Sequence, residues 1–163
     1  MIYLSITERK LLKNFVLRGK FMEKINVGII GAGRIGQVHA KSITYHIPQA
    51  EIVAISDIYV EGAKKVAEEL GIPNYYEDYH EILNNPEINA VLICSSTDTH
   101  ADIAVEAAKA GKNIFCEKPV DLTVAKIKKV ISRAKELGME SIAITDHGVV
   151  QAFPDAAKAA GGL

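Results

Sequence analysis

Short apolar runs alternate with longer amphipathic stretches along most of the chain. Ile25-Asn26-Val27-Gly28-Ile29-Ile30, Glu51-Ile52-Val53-Ala54-Ile55-Ser56, Ala90-Val91-Leu92-Ile93-Cys94, Asn113-Ile114-Phe115-Cys116 and Ser141-Ile142-Ala143-Ile144-Thr145 read as strands. The run at Ala90 is continuously apolar, as in a parallel strand covered on both faces. Between the strands, Ala63, Val66, Ala67 and Leu70 share one helical face, closed by Gly71 and Pro73. Asp78 to Asn84 reads as a short helix stopped before Pro86, and Tyr75-Tyr76 as a short strand at best. Thr99-x-x-Asp102 resembles a capping box opening a helix that Gly111 ends. Asp121 is the expected N-cap of a longer helix with Val124, Ile127, Val130, Ile131, Ala134 and Leu137 on one stripe, ended by Gly138. This alternation predicts an α/β fold, a doubly wound parallel sheet with right-handed crossovers.

The junction after the first strand sharpens that expectation. Gly31-Ala32-Gly33-Arg34-Ile35-Gly36 is a G-x-G-x-x-G turn between a strand and a helix, and the next strand ends in Asp57 about 20 residues later. Gly31 permits the tight turn, Gly33 lets a pyrophosphate approach the backbone, and Gly36 lets the helix pack closely on the sheet. The helix N-terminus offers N–H groups and a positive dipole end to phosphates, and Asp57 can accept hydrogen bonds from adenosine ribose hydroxyls. The alternative is a tight strand–helix turn with no ligand. The pattern predicts a Rossmann sheet in the order 3-2-1-4-5-6, with ligand at the carboxyl ends of strands 1 and 4, where the order reverses.

Composition excludes several classes. The chain has 163 residues, room for one sizeable core, and carries 19 basic against 20 acidic side chains. That near-neutral balance points to neither nucleic acid nor an anionic membrane as partner. No apolar run approaches the roughly 18 residues of a membrane span. Two cysteines, Cys94 and Cys116, are too few for a disulfide framework and suit a cytoplasmic protein. A disulfide between them and a pair of buried free thiols both stay open. Residues 1–21 are basic, with Leu11, Leu12, Phe15 and Val16 on one face, and read as a leader, either disordered or a short helix. A functional arm is the alternative. Residues 22–145 form the expected domain, and 146–163 a short Ala/Gly-rich tail.

Polar residues cluster at the predicted carboxyl edge. Strand 4 runs into Ser95-Ser96-Thr97-Asp98-Thr99-His100, and strand 5 into Glu117-Lys118-Pro119. Ser95, Ser96 and Thr97 can hydrogen-bond a ribose or a nicotinamide amide. His100 is either aimed at the ligand or an ordinary helix-surface histidine. Glu117-Lys118 is either part of the site or a solvated ion pair. A cation such as Lys118 beside a nicotinamide and a hydroxyl would stabilise a developing alkoxide.

Residues 22 to about 130 closely resemble the N-terminal domain of the glucose–fructose oxidoreductase, inositol 2-dehydrogenase and MocA family, nearest the inositol 2-dehydrogenase branch. The resemblance rests on Gly31-Ala32-Gly33-Arg34-Ile35-Gly36, Ala54-Ile55-Ser56-Asp57, Cys94-Ser95-Ser96-Thr97-Asp98-Thr99-His100-Ala101 and Phe115-Cys116-Glu117-Lys118-Pro119. It implies NAD as cofactor, with Arg34 and Ile35 lining the pyrophosphate loop and Asp57 on the adenosine ribose. Ser95 to Thr97 and His100 would lie along the cofactor, Glu117 and Lys118 at the nicotinamide end, and Lys118 would be catalytic. A small polyol or sugar substrate is implied, without nucleic acid or membrane partners.

Members of that family are roughly twice as long. Their second domain supplies an Asp-x-x-x-His pair whose histidine is the base. None of His39, His46, His80, His100 and His147 is preceded by Asp four residues earlier. The second domain is therefore expected to be missing, and an uncovered domain face would favour self-association. From Arg133 to Asp155 the chain resembles the polymerase-and-histidinol-phosphatase domain of Gram-positive replicative DNA polymerases, around Thr145-Asp146-His147. That resemblance implies a chimera joined between Asp121 and Arg133. It implies no metal centre, because the family's early His-x-His is lacking and Asp146 and His147 alone are too few donors. Three readings result: an NAD-dependent polyol dehydrogenase by descent, a non-catalytic NAD-binding module, and a metal-dependent phosphoesterase fragment.

Overall fold

Five parallel strands form one sheet in the order β3-β2-β1-β4-β5. The computed structural model describes residues 24–136. The elements are β1 (Ile25–Ile30), α1 (Arg34–His46), β2 (Ala50–Ser56), α2 (Val60–Leu70), β3 (Asn74–Tyr76), α3 (His80–Asn84), β4 (Ala90–Ile93), α4 (Thr97–Lys109), β5 (Asn113–Cys116) and α5 (Val124–Glu136). The observed order is the predicted one through its fifth strand. The leader, the sixth strand at Ser141–Thr145, the tail and Asp146-His147 lie outside the described residues.

Two apolar clusters sandwich the sheet. Val27 and Ile29 of β1 and Ile52 and Ile55 of β2 pack with Ala40 and Ile43 of α1 and Ala63, Val66 and Ala67 of α2. On the other face, Ile30, Ala54, Val91 and Ile93 meet Ile82 and Leu83 of α3 and Ile103, Ala104 and Ala107 of α4. Every one of these side chains is buried, and such burial is the main favourable term holding the layers together. Opposite Val27–Gly28 the β2 register slips: Val27 pairs with Ile52 but Gly28 with Ala54, so Val53 is a bulge. The Val53 carbonyl is taken instead by Asn74 Nδ2 at 3.0 Å.

Two helix starts differ from expectation. Helix α4 opens at Thr97 rather than at Thr99, with Ser96 as its N-cap. Thr99 lies inside the first turn, where its N–H and hydroxyl both donate to the Ser96 carbonyl, at 2.9 and 2.7 Å. The Thr99-x-x-Asp102 pattern is thus not a cap, because its threonine is spent on a bond back into the turn. Helix α5 is capped by Thr123, whose Oγ1 accepts the Lys126 N–H at 3.4 Å, rather than by Asp121. Asp121 instead makes an Asx turn two residues earlier, accepting the Thr123 N–H and hydroxyl.

One buried cation supports the opposite edge of the sheet from the glycine turn. Lys112, 7% exposed, donates to the carbonyls of Asn85 (2.6 Å) and Ile88 (2.9 Å), tying the exit of α3 to the start of β5. Burial lowers its pKa from the ordinary lysine value. Among the described residues, no helix is long and apolar enough to cross a membrane.

Candidate cofactor site at the carboxyl edge of the sheet

The glycine turn is held between two strand ends. Gly31 has φ +105°, and its N–H donates to the Ser56 carbonyl at 2.7 Å. A Cβ there would lie 2.6 Å from the Cys94 carbonyl carbon and oxygen, so β1 leaves the sheet against the end of β4. At Gly36 a Cβ would land on the Gly31 carbonyl oxygen, which is how closely α1 packs on the turn. Gly33 differs from both: its backbone is ordinary extended chain, and a Cβ would meet nothing within 4 Å.

Gly33 is also the N-cap of α1, with no side-chain cap and no acidic residue in the first turn. The helix therefore presents uncompensated N–H groups and its positive dipole end to open space. That is the environment a pyrophosphate requires, so the turn fits a dinucleotide. Arg34 and Ile35 follow at the exposed start of the helix.

Asp57 is tied to this turn. Its Oδ2 accepts the Ala32 N–H at 2.7 Å, and its Oδ1 accepts the Tyr59 N–H at 2.9 Å. Each carboxylate oxygen retains a further acceptor direction, which leaves room for ribose hydroxyls. Beyond it, Ile58 and Tyr59 are exposed apolar surface, 91% and 71% accessible.

The two loops from β4 and β5 complete the edge. Ser95 Oγ and Thr99 Oγ1 hydrogen-bond at 2.8 Å, Ser96 is exposed, and Thr97 is half-buried at the first position of α4. His100, 2% exposed, faces inward: its Nε2 lies 2.9 Å from the Ser95 carbonyl and its Nδ1 2.9 Å from the Pro119 carbonyl. Both ring nitrogens face backbone carbonyls of the two loops, so the ring lies between them rather than presenting itself as a surface histidine would. Lys118 is exposed and precedes Pro119 through a cis peptide bond.

Sequence reasoning missed the partner of Glu117. Its Oε1 lies 2.6 Å from His39 Nε2 of α1, its Oε2 accepts the Lys118 N–H at 3.2 Å, and its N–H donates to the Ile93 carbonyl at 2.9 Å. Burial would push the Glu117 carboxyl up, but the hydrogen bonds from His39 and the Lys118 N–H outweigh it and hold the pKa below the ordinary value. One signal was available: His39 lies three residues after the inward-facing Gly36, on the flank of the helix that meets the sheet edge.

Cys94 and Cys116 are free thiols. Burial first, then the nearby Glu117 carboxylate, pushes both up to about 12. The thiolate is the nucleophile, so the folded chain is expected to resist a disulfide-exchange reagent at pH 8 and to react at both cysteines once unfolded. Rapid labelling of the folded chain would contradict this.

Among the described residues, no group of three or more His, Cys, Asp or Glu side chains could hold a metal ion. The comparisons agree with the geometry. A family model described as an oxidoreductase family with an NAD-binding Rossmann fold matches residues 25–143. Myo-inositol 2-dehydrogenase of Thermotoga maritima is 40% identical over 112 residues, 69% of this chain and 33% of that protein. An NAD(+)-dependent scyllo-inositol 2-dehydrogenase of Bacillus subtilis is 39% identical over 116 residues, 71% of this chain and 34% of that protein. The crystal structure of a Lactobacillus casei scyllo-inositol dehydrogenase with NAD(H) and scyllo-inositol superposes with a TM-score of 0.68 at 29% identity. The overlap covers 71% of this chain and 34% of the other. This chain spans about a third of the length of these relatives. By its strand order, its glycine turn and the extent of the match, the chain belongs to the oxidoreductase family with an NAD-binding Rossmann fold.

Proposed function

We propose that this polypeptide is the cofactor-binding part of an NAD-dependent polyol dehydrogenase of the inositol 2-dehydrogenase type. The observation that carries the reading is the bond from Ala32 N–H to Asp57, which joins the glycine turn to the acid at the end of β2 beneath an open helix N-terminus. In this reading Gly31, Gly33, Arg34, Ile35 and Gly36 surround the pyrophosphate, and Asp57 takes the adenosine ribose. Ser95, Ser96 and Thr97 lie along the cofactor, and His100 supports their loop. Glu117 and Lys118 stand at the nicotinamide end. NAD, when bound, would supply the hydride acceptor. Lys118 would orient the alcohol and stabilise its oxygen while a base, which the family resemblance places in a second domain, took the proton. The relatives' names, myo-inositol and scyllo-inositol 2-dehydrogenase, support a cyclitol as the substrate class, and the family resemblance adds a sugar secondary alcohol. Residues 22–145 make up the domain, in a cytoplasmic protein.

NAD is expected to bind in preference to NADP. The Asp57 carboxylate would face a 2′-phosphate, and Ile58, Tyr59 and Val60 offer it no cation. A close like-charge contact is worth about 1.4 kcal/mol or more, roughly tenfold in affinity. Calorimetric titration checks this, and Asp57→Ala should narrow the gap; NADP binding as tightly as NAD would overturn it.

A non-catalytic NAD-binding module is the second reading; the glycine turn and Asp57 support cofactor binding and do not bear on turnover. Titration with NADH and then an assay with NAD and myo-inositol separate the two. Binding without NADH formation is the expected result for this chain. The gene join is a separate proposal, supported by the run from Arg133 to Asp155; the family match itself continues to residue 143. Amplifying the coding sequence across that interval from source DNA tests it.

A further inference from the structure

Lys118 is anchored on both sides by histidines from different helices. After it, the Pro119 carbonyl meets His100 Nδ1 of α4. Before it, Glu117 spans from His39 of α1 to the Lys118 N–H. We propose that His39 is a positioning residue for Lys118, acting through Glu117, so that the helix expected to seat the pyrophosphate also sets the placement of the cation. The inference rests on the cofactor reading above for its functional meaning, but its geometry does not.

Glu117 has little freedom in this arrangement. Its N–H is fixed to the end of β4 at the Ile93 carbonyl, and its two carboxylate oxygens go to different partners. The side chain is 16% exposed and that of His39 26%, so the pair is shielded more than a surface ion pair and should matter more than one. The Phe115 ring meets the His39 ring edge-on at 5.3 Å, restricting its orientation from β5. The ionisable groups around the carboxylate are His39 from α1, Lys118 from the adjoining loop, and the Cys94 and Cys116 thiols at the ends of β4 and β5. In this set, His39 and the Lys118 N–H are the groups hydrogen-bonded to it. Without His39, the Glu117 carboxylate is released toward the Lys118 ammonium, which changes the position and the accessibility of the amine.

The test compares the full chain with His39→Leu and His39→Gln. The deciding readout is the rate of acetylation of the Lys118 amine by an N-hydroxysuccinimide ester, measured by mass spectrometry without cofactor. Other lysines serve as internal references, and thermal unfolding confirms that each variant folds. Pairing with the released carboxylate should slow acetylation at Lys118 by about threefold or more in His39→Leu. His39→Gln keeps an N–H donor at a similar reach and should restore the rate to within about twofold of the parent. NADH affinity should fall by about tenfold in His39→Leu, the loss expected for one hydrogen bond to a charged group. A Lys118 rate unchanged in folded His39→Leu overturns the inference. So does loss of NADH affinity with no change at Lys118, since His39 would then only support α1. If the parent chain does not bind NADH, the cofactor reading falls, and the acetylation rates alone decide the role of His39.

Discussion

Gly31→Ala is expected to lower stability by about 2–6 kcal/mol. Two terms add. The residue sits at φ +105°, where an L side chain is strained by about 1–3 kcal/mol. Its new Cβ would also lie 2.6 Å from backbone atoms of Cys94, and neither strand end can yield by rotating a side chain. Overpacking of that kind costs about 1–3 kcal/mol. Against a total stability of about 5–15 kcal/mol, this is a large fraction, worth on the order of 10–25 °C in melting temperature. Gly36→Ala should also lose stability: its Cβ would land on the Gly31 carbonyl oxygen, a closer contact than any at Gly31, offset in part by about 1 kcal/mol of helix propensity. Thermal and urea unfolding of the variants check both. A Gly31→Ala protein as stable as its parent would mean that the turn does not hold the conformation described.

Gly33→Ala should do the opposite, leaving the fold intact and removing the ligand. The backbone at Gly33 suits any residue, and the added methyl would meet no protein atom within 4 Å. Stability should stay within about 0.5 kcal/mol of the parent. The same methyl would occupy the approach to the α1 N-terminus, where a pyrophosphate must come close to the backbone. A loss of about 10–100-fold in NADH affinity is expected, equivalent to about 1.4–2.8 kcal/mol. Unaltered affinity in Gly33→Ala would place the phosphates somewhere other than this turn. The pair of variants therefore separates the two duties of one glycine motif by calorimetry and melting alone.

The contrast between these glycines also shows what was legible in the sequence. Strand and helix periodicities are local, so the element order and the sheet order through β5 could be read from apolar runs and stops. The glycine spacing and Asp57 identified the edge of the sheet that matters. What escaped was pairing across long separations. His39 and Glu117 are 78 positions apart, and beyond the placement of His39 three residues after Gly36 nothing local to either indicates the other. His100 could be placed near the site but not turned inward, because its orientation depends on two carbonyls supplied by separate loops. Lys112, which no sequence pattern singled out, is buried because the carbonyls of Asn85 and Ile88 satisfy its ammonium. At helix starts, Thr99 and Asp121 carry the right residue types, but neither caps: Thr99 bonds back to the Ser96 carbonyl and Asp121 makes an Asx turn, leaving Ser96 and Thr123 at the cap positions.

The bulge at Val53 gives β2 a place where its length can vary without disturbing the residues downstream. Side chains on a regular strand alternate, so gaining or losing one residue would exchange inside for outside over the rest of its length. Here Val53 and Ala54 both belong to the α3–α4 side, while Ile52 and Ile55 lie on the α1–α2 side. Removing Val53 would restore a regular ladder from Ile52 to Ala54 and keep Ile55 and Ser56 in phase, with Asp57 still delivered to the glycine turn. A one-residue gap at this position, when related chains are aligned, is therefore a neutral length polymorphism rather than a shift of the binding edge.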